Sequence, residues 1–135
     1  MTAATPDTFA ILIVDDDVSI RHDLTLALAS SSRVIVQAES GQTAYSTIKH
    51  HPIHLVICDI QMPRGNGVWL LERLLAENIK PMFFCFYSAL FNGSTIRQHP
   101  LGVDHVFAKC GDVDQLIAWV EESQSLVAKN LKVRT

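Results

Sequence analysis

The sequence predicts an α/β protein: a doubly wound, five-stranded parallel sheet with helices on both faces. Three observations predict it. Short continuous apolar runs recur along the chain, of the kind that suits strands buried on both faces. Segments with apolar residues at helical spacing lie between those runs. The two kinds alternate, which is the pattern of parallel strands joined by helical crossovers. At 135 residues, the chain holds one domain and can bury enough surface to need no staple.

Residues 1–8 read as a loose arm. Phe9–Val14 (FAILIV) is the first strand. Asp17, before Val-Ser-Ile-Arg, reads as a helix N-cap, and Ile20, Leu24, Ala27 and Leu28 form the stripe of the helix behind it. Val34–Ala38 is the second strand and Gly41–Lys49 the second helix. Ile53–Cys58 is the third strand, interrupted only by His54. Val68, Leu71, Leu74 and Leu75 make the next helical stripe. Met82–Tyr87 is the fourth strand. Ser94–His99 is a short helix bracketed by Gly93 and Pro100. His105–Ala108 is the fifth strand, and Val113, Leu116, Ile117 and Val120 mark the last helix. Trp119 and Trp69 lie off these stripes, so both are expected to be at least partly exposed. Trp119 then either lies over neighbouring side chains or anchors a partner. The domain body is read as residues 9–124. Residues 125–135, with Lys129, Lys132 and Arg134, extend the last helix or form the stub of a linker.

Composition excludes several function classes. Hydrophobic residues are 48% and charged residues 19%, unlike a disordered tail. Eleven Lys and Arg face 14 Asp and Glu, for a net charge of −3. Four of those acids are Asp15, Asp16, Asp17 and Asp59, so the acidity is concentrated and the remainder is close to neutral. That balance argues against a nucleic-acid binder. Cys58, Cys85 and Cys110 show no Cys-x-x-Cys spacing, and their odd number suits a reducing, cytoplasmic compartment. The opening MTAATPDT has no positive n-region, so it does not read as a secretory signal. The longest apolar run, Pro81–Tyr87, is far short of the roughly 20 residues that span a bilayer.

Ligands of open parallel sheets sit beyond the carboxyl ends of the strands. The residues there are Asp15, Asp16 and Asp17 after the first strand, Asp59 after the third, Ser88 after the fourth and Lys109 after the fifth. Oxygen ligands with retained waters hold Mg²⁺, and lysine and hydroxyl groups partner phosphoryl oxygens. The set reads as a Mg²⁺-assisted phosphoryl site with an aspartate nucleophile. His50, His51 and His54 (HHPIH) lie at the opposite edge and are read as a solvated loop rather than a metal site. Cys58 should face away from Asp59 into packed surroundings.

The stretches ILIVDDDVSIR, LVICDIQMPRGNG, FYSA and FAK resemble the receiver domain of response regulators, the CheY-like phosphoacceptor module of two-component signalling. The resemblance covers about residues 9–123, and its most specific run is D-x-x-M-P-x-x-x-G from Asp59 to Gly67. It implies a flavodoxin-like, CheY-like fold. It implies that Asp59 accepts a phosphoryl group from a histidine kinase or a histidine phosphotransfer protein. Asp15, Asp16, Asp59 and the backbone carbonyl of Gln61 would hold Mg²⁺. Ser88 would hydrogen-bond the phosphoryl group and Lys109 would pair with it. Phosphorylation would switch a protein interface toward a downstream target, an effector domain or a phosphorylation-dependent homodimer. Such a protein is a switch rather than an enzyme with turnover. Pro63 would set the turn after the acceptor, and Gly67 would open the next helix without a clash.

The sequence departs from the family at two positions. Val106 stands where an aromatic is usual, three residues before the lysine. Cys110 stands where proline often follows the lysine in a cis peptide. A non-proline residue prefers trans by about 2.5–4 kcal/mol. Phe107, the nearest aromatic, should point to the other side of the strand. With Val106 in place, residues 89–104 are expected to carry the output, with Phe91 and Trp119 on the partner face. Leu90 is expected to lengthen the life of the acyl phosphate. Two other readings are weighed. A small-molecule phosphatase of the aspartate-nucleophile class would usually carry a second Asp where Gln61 stands, and would need a cap domain. A constitutive interaction scaffold is favoured only by Val106.

Overall fold

The structure is a computed structural model and describes residues 8–89 and 102–134. In chain order the elements are β1 (Phe9–Val14), α1 (Val18–Leu28), β2 (Arg33–Ala38), α2 (Gly41–His50), β3 (Leu55–Cys58), α3 (Gly67–Ala76), β4 (Phe83–Ser88), β5 (His105–Ala108) and α4 (Val113–Arg134). The five strands are parallel in the order β2-β1-β3-β4-β5. The expected short helix at Ser94–His99 lies outside the described residues, as do Leu90 and Phe91.

Every residue of β1 is buried, and alternate side chains serve two separate cores. Ile11 and Ile13 pack with Leu24, Leu28, Leu116 and Val120, between the sheet and the α1/α4 layer. Leu12 and Val14 pack with Ala44, Val56, Leu70 and Leu74, between the sheet and the α2/α3 layer. A strand buried on both faces has no polar side, which is why the strands read as unbroken apolar runs.

Register sets the position of the strand ends. Val14 pairs with Cys58, Cys58 with Phe86 and Phe86 with Val106. The residues that follow β1 and β3 therefore emerge side by side, where the strand order reverses around β1. Polar caps start the helices there. Asp17 accepts from the Ser19 and Ile20 N–H groups, Ser40 from Thr43 and Asn66 from Trp69. The N-terminus of α2 also donates Gly41 N–H to the Gly65 carbonyl at 2.9 Å and Gln42 N–H to the Arg64 carbonyl at 3.2 Å. The loop before α3 is thereby pinned to α2. Arg64 (φ 57°) and Gly65 (φ 97°) take left-handed backbone to make that turn.

Three expectations need correcting. Trp119 is buried, 8% exposed, and its ring meets Phe83, His105 and Phe107 with centroids 5.4–6.3 Å apart. The buried face of α4 runs 116, 119, 120, 123, which is also a helical stripe, and Trp119 on it roofs the short edge strand β5. On α3 the buried set is Gly67, Leu70, Leu71 and Leu74, while Leu75 is 38% exposed. That helix is apolar nearly all round at its start, so spacing alone leaves its phase ambiguous. Ala27 is likewise exposed on α1. His54 is not part of a solvated loop. It is half-buried, stacks on Phe9, accepts the Ala10 N–H on Nδ1 at 2.9 Å and donates its own N–H to the Ala10 carbonyl. Among the described residues, no helix is long and apolar enough to cross a membrane.

Candidate functional site: an acidic pocket at the strand ends

Asp15 and Asp59 leave β1 and β3 as neighbours, tied by the sheet itself. Asp15 N–H donates to the Ala38 carbonyl at 3.1 Å and Asp59 N–H to the Val14 carbonyl at 2.9 Å. Both side chains are buried, while Asp16 is exposed. Lys109, at the end of β5, reaches across. Its Nζ lies 2.7 Å from Asp15 Oδ2 and 3.0 Å from Asp59 Oδ2. The other oxygens are also engaged: Asp15 Oδ1 accepts the Asp17 N–H at 2.9 Å, and Asp59 Oδ1 accepts the Ile60 N–H at 2.8 Å. Ser88 is buried at the end of β4, and its carbonyl accepts the Lys109 N–H at 3.1 Å.

The electrostatics follow from this crowding. Burial raises the Asp15 carboxyl above its ordinary value, and the Lys109 hydrogen bond works against that rise. Burial pulls the Lys109 ammonium down, but Asp15 and Asp59 outweigh it and hold the group above its ordinary value. Lys109 is thus a fixed cation between two carboxylates. One carboxylate oxygen from each of Asp15, Asp16 and Asp59 lies within 4.8 Å of the others. Three hard oxygen donors, one of them open to water, match how Mg²⁺ is held with several waters retained. Such an acidic triad is typical of the Mg²⁺ site of receivers.

The sequence-selected residues fall as follows. Asp15, Asp16, Asp59 and Lys109 meet. Ser88 stands at the neighbouring strand end. Gln61 is exposed and lines an open hollow of about 490 Å³ with Met62, Pro63 and Asn66. Cys58 is buried in the α2/α3 core. Val106 packs toward the α2/α3 core and Phe107 lies in the α1/α4 core, so the nearest aromatic does point to the opposite face. No cis peptide occurs among the described residues, and Cys110 takes left-handed backbone (φ 66°) with its N–H donating to the Tyr87 hydroxyl at 3.3 Å. Sequence reasoning missed Arg21, whose Nη1 donates to the Asp15 carbonyl at 2.6 Å. Only its place one turn into α1 could have signalled it.

Residues 11–121 match the sequence model of the response regulator receiver domain family, and the chain belongs to that family. It is a phosphoacceptor signalling domain with an acidic pocket of Asp15, Asp16, Asp59 and Lys109, a switch rather than a catalytic enzyme. Among curated proteins it is 31% identical over 114 residues to a probable chemotaxis protein CheY of Rhizobium etli, covering 82% of this chain and 88% of that one. It is 40% identical over 72 residues to the response regulator GtcR of Aneurinibacillus migulanus, covering 53% of this chain and 30% of that protein. The chain thus spans less than a third of the length of the first curated relatives it matches. Among solved structures, it is similar to the N-terminal domain of an uncharacterized protein from Wolinella succinogenes (TM-score 0.81, 25% identity, 91% of this chain and 99% of that one). It also shares its fold with the response regulator TrrA of Thermotoga maritima, solved in complex with Mg²⁺–BeF (TM-score 0.75, 24% identity, 86% and 99% covered). A receiver domain implies a cognate histidine kinase.

Proposed function

We propose that Asp59 is the phosphoacceptor of this receiver, taking a phosphoryl group from the phosphohistidine of a kinase or a histidine phosphotransfer protein. The observation that supports this best is the shared ammonium: Lys109 lies 3.0 Å from one oxygen of Asp59, at the strand end flanked by Asp15 and Asp16. An Asp59 oxygen attacks phosphorus, the P–N bond of the donor breaks, and the imidazole leaves with the electron pair. Lys109 then moves its hydrogen bond from the carboxylate to a phosphoryl oxygen. Ser88 supplies a hydroxyl to another. Asp15, Asp16, Asp59 and the carbonyl of Gln61 would hold Mg²⁺, as the Mg²⁺–BeF complex of TrrA suggests for a protein of this fold. When bound, the cation offsets negative charge on the carboxylates and on the transferring oxygens.

Residues 9–124 form the receiver in this reading, and 125–135 a helical extension. The product switches a protein interface toward a downstream target, an effector domain or a second copy. Nucleic acid is not contacted directly. A reducing cytoplasm suits three free cysteines. The test is a phosphate-affinity gel after acetyl phosphate, with and without Mg²⁺. The expected outcome is retardation of the wild type only with Mg²⁺, lost in Asp59→Asn and Asp16→Ala. Undiminished retardation of Asp59→Asn refutes the assignment, and no labelling of the wild type favours the scaffold reading.

A further inference from the structure

Arg21 engages the acid pocket without pairing with any acid among the described residues. Its Nη1 instead donates to the Asp15 carbonyl at 2.6 Å, and its Nε to Gln37 Oε1 at 3.1 Å. The ring of contacts closes on itself. Gln37 Nε2 donates to Thr25 Oγ1 at 3.1 Å, and the Thr25 hydroxyl donates to the Arg21 carbonyl at 2.7 Å. Gln37 belongs to β2, so the guanidinium is braced against the sheet.

The Asp15 carbonyl is half of the peptide that joins Asp15 to Asp16. Among the described residues, no hydrogen bond or ion pair holds the Asp16 carboxylate. Asp15 is held by Lys109 and Asp17 by its capping role, so the point and direction in which the Asp16 side chain leaves the main chain are set by the backbone between them. We infer that Arg21 is a positioning residue for the cation site: by clamping the Asp15–Asp16 peptide, it aims the Asp16 carboxylate at Asp15 and Asp59. This rests on the reading of those three carboxylates as a Mg²⁺ site.

The sign of the effect separates positioning from charge. A guanidinium near an acid site repels a cation, so charge alone predicts tighter Mg²⁺ binding once Arg21 is neutralised. Positioning predicts the opposite. Removing an outer group that orients ligands weakens metal binding by about 10–100-fold. Lysine keeps the charge but lacks the fork that meets two acceptors at once.

The experiment is calorimetric titration of Mg²⁺ into wild type, Asp16→Asn, Arg21→Met, Arg21→Lys and Gln37→Ala at fixed ionic strength. Wild type should bind and Asp16→Asn should not. Arg21→Met should bind at least ~10-fold more weakly, with Arg21→Lys between it and wild type. Gln37→Ala removes the brace but no charge and no ligand, and should weaken binding a few-fold in the same direction. Arg21→Met binding as tightly as wild type, or more tightly, overturns the inference and leaves the cation site standing. Wild type that takes up no Mg²⁺ overturns the cation site, and the inference with it.

Discussion

Lys109 offsets the repulsion between two buried carboxylates, 2.7 Å from Asp15 and 3.0 Å from Asp59, which gives it a structural part in the protein whatever it does in phosphoryl transfer. Removing one partner of a buried ion pair leaves charge without compensation, at a cost on the order of 3 kcal/mol. Lys109→Met should therefore lower denaturant stability by about that amount, and millimolar Mg²⁺ should return part of it by binding only the folded state. A variant as stable as wild type would show that the contacts to Asp15 and Asp59 carry no net energy. His54 gives a pH signature at the opposite edge of the sheet. Burial holds its imidazole below the ordinary value of 6.5, and Nδ1 accepts the Ala10 N–H, so folding favours the neutral ring. The unfolded chain binds the extra proton, and stability present above pH 6.5 is lost as pH falls through the lower folded value. His54→Asn, whose amide oxygen can accept the same N–H, should melt with a shallower pH dependence between about pH 7 and pH 5. Parallel melting curves for the two proteins would exclude His54 as the source. The sequence showed His54 only as a break in an apolar run, because its meaning depends on β1 lying alongside β3.

At the scale of the element, Gly67 shows how closely α3 approaches the pocket. A Cβ there would clash with the Asp59 carbonyl and meet the Phe86 ring at 2.8 Å, while Gly67 N–H donates to the Ile60 carbonyl at 2.8 Å. Gly67→Ala should cost about 1–3 kcal/mol by overpacking and weaken Mg²⁺ binding by displacing Asp59. Unchanged stability would mean that helix and loop separate freely. The last helix carries an opposite case. Ser123 is buried and its hydroxyl has no hydrogen-bond partner among the described residues, so Ser123→Ala should stabilise the protein by about 1 kcal/mol. A loss of stability on chemical denaturation would show that the hydroxyl has a partner. Strand positions were legible in the sequence because strands buried on both faces read as unbroken apolar runs. Helix phase was less legible. Apolar residues on α3 and α4 occupy more than one face, and only the sheet beneath decides which stripe is covered. Trp119 is the clearest instance, since its burial depends on the rings of Phe83, His105 and Phe107 from two other strands.

For the whole molecule, the strand order explains why three separated chain positions come together. Asp15, Asp59 and Lys109 are far apart in sequence, yet each follows a strand of one parallel sheet. That much was readable, because strand ends of a parallel sheet share an edge. Arg21 was not, because it reaches a backbone carbonyl from α1 and its partner Gln37 lies on β2. The same assembly predicts a cation response: Mg²⁺ should raise the melting temperature of wild type and leave that of Asp16→Asn unmoved. A wild-type melt indifferent to Mg²⁺ at low ionic strength would contradict the cation site. The central claim is that one carboxylate, Asp59, takes the phosphoryl group. An acyl phosphate is reduced by borohydride to an alcohol, which would convert the phosphorylated aspartate to homoserine in place. The decisive measurement is peptide mass spectrometry of the wild type after acetyl phosphate, Mg²⁺ and borohydride. The account predicts homoserine at position 59 and at no other aspartate, with none formed when Mg²⁺ is withheld. Homoserine at position 15 or 16, or the same yield at 59 without Mg²⁺, would contradict it.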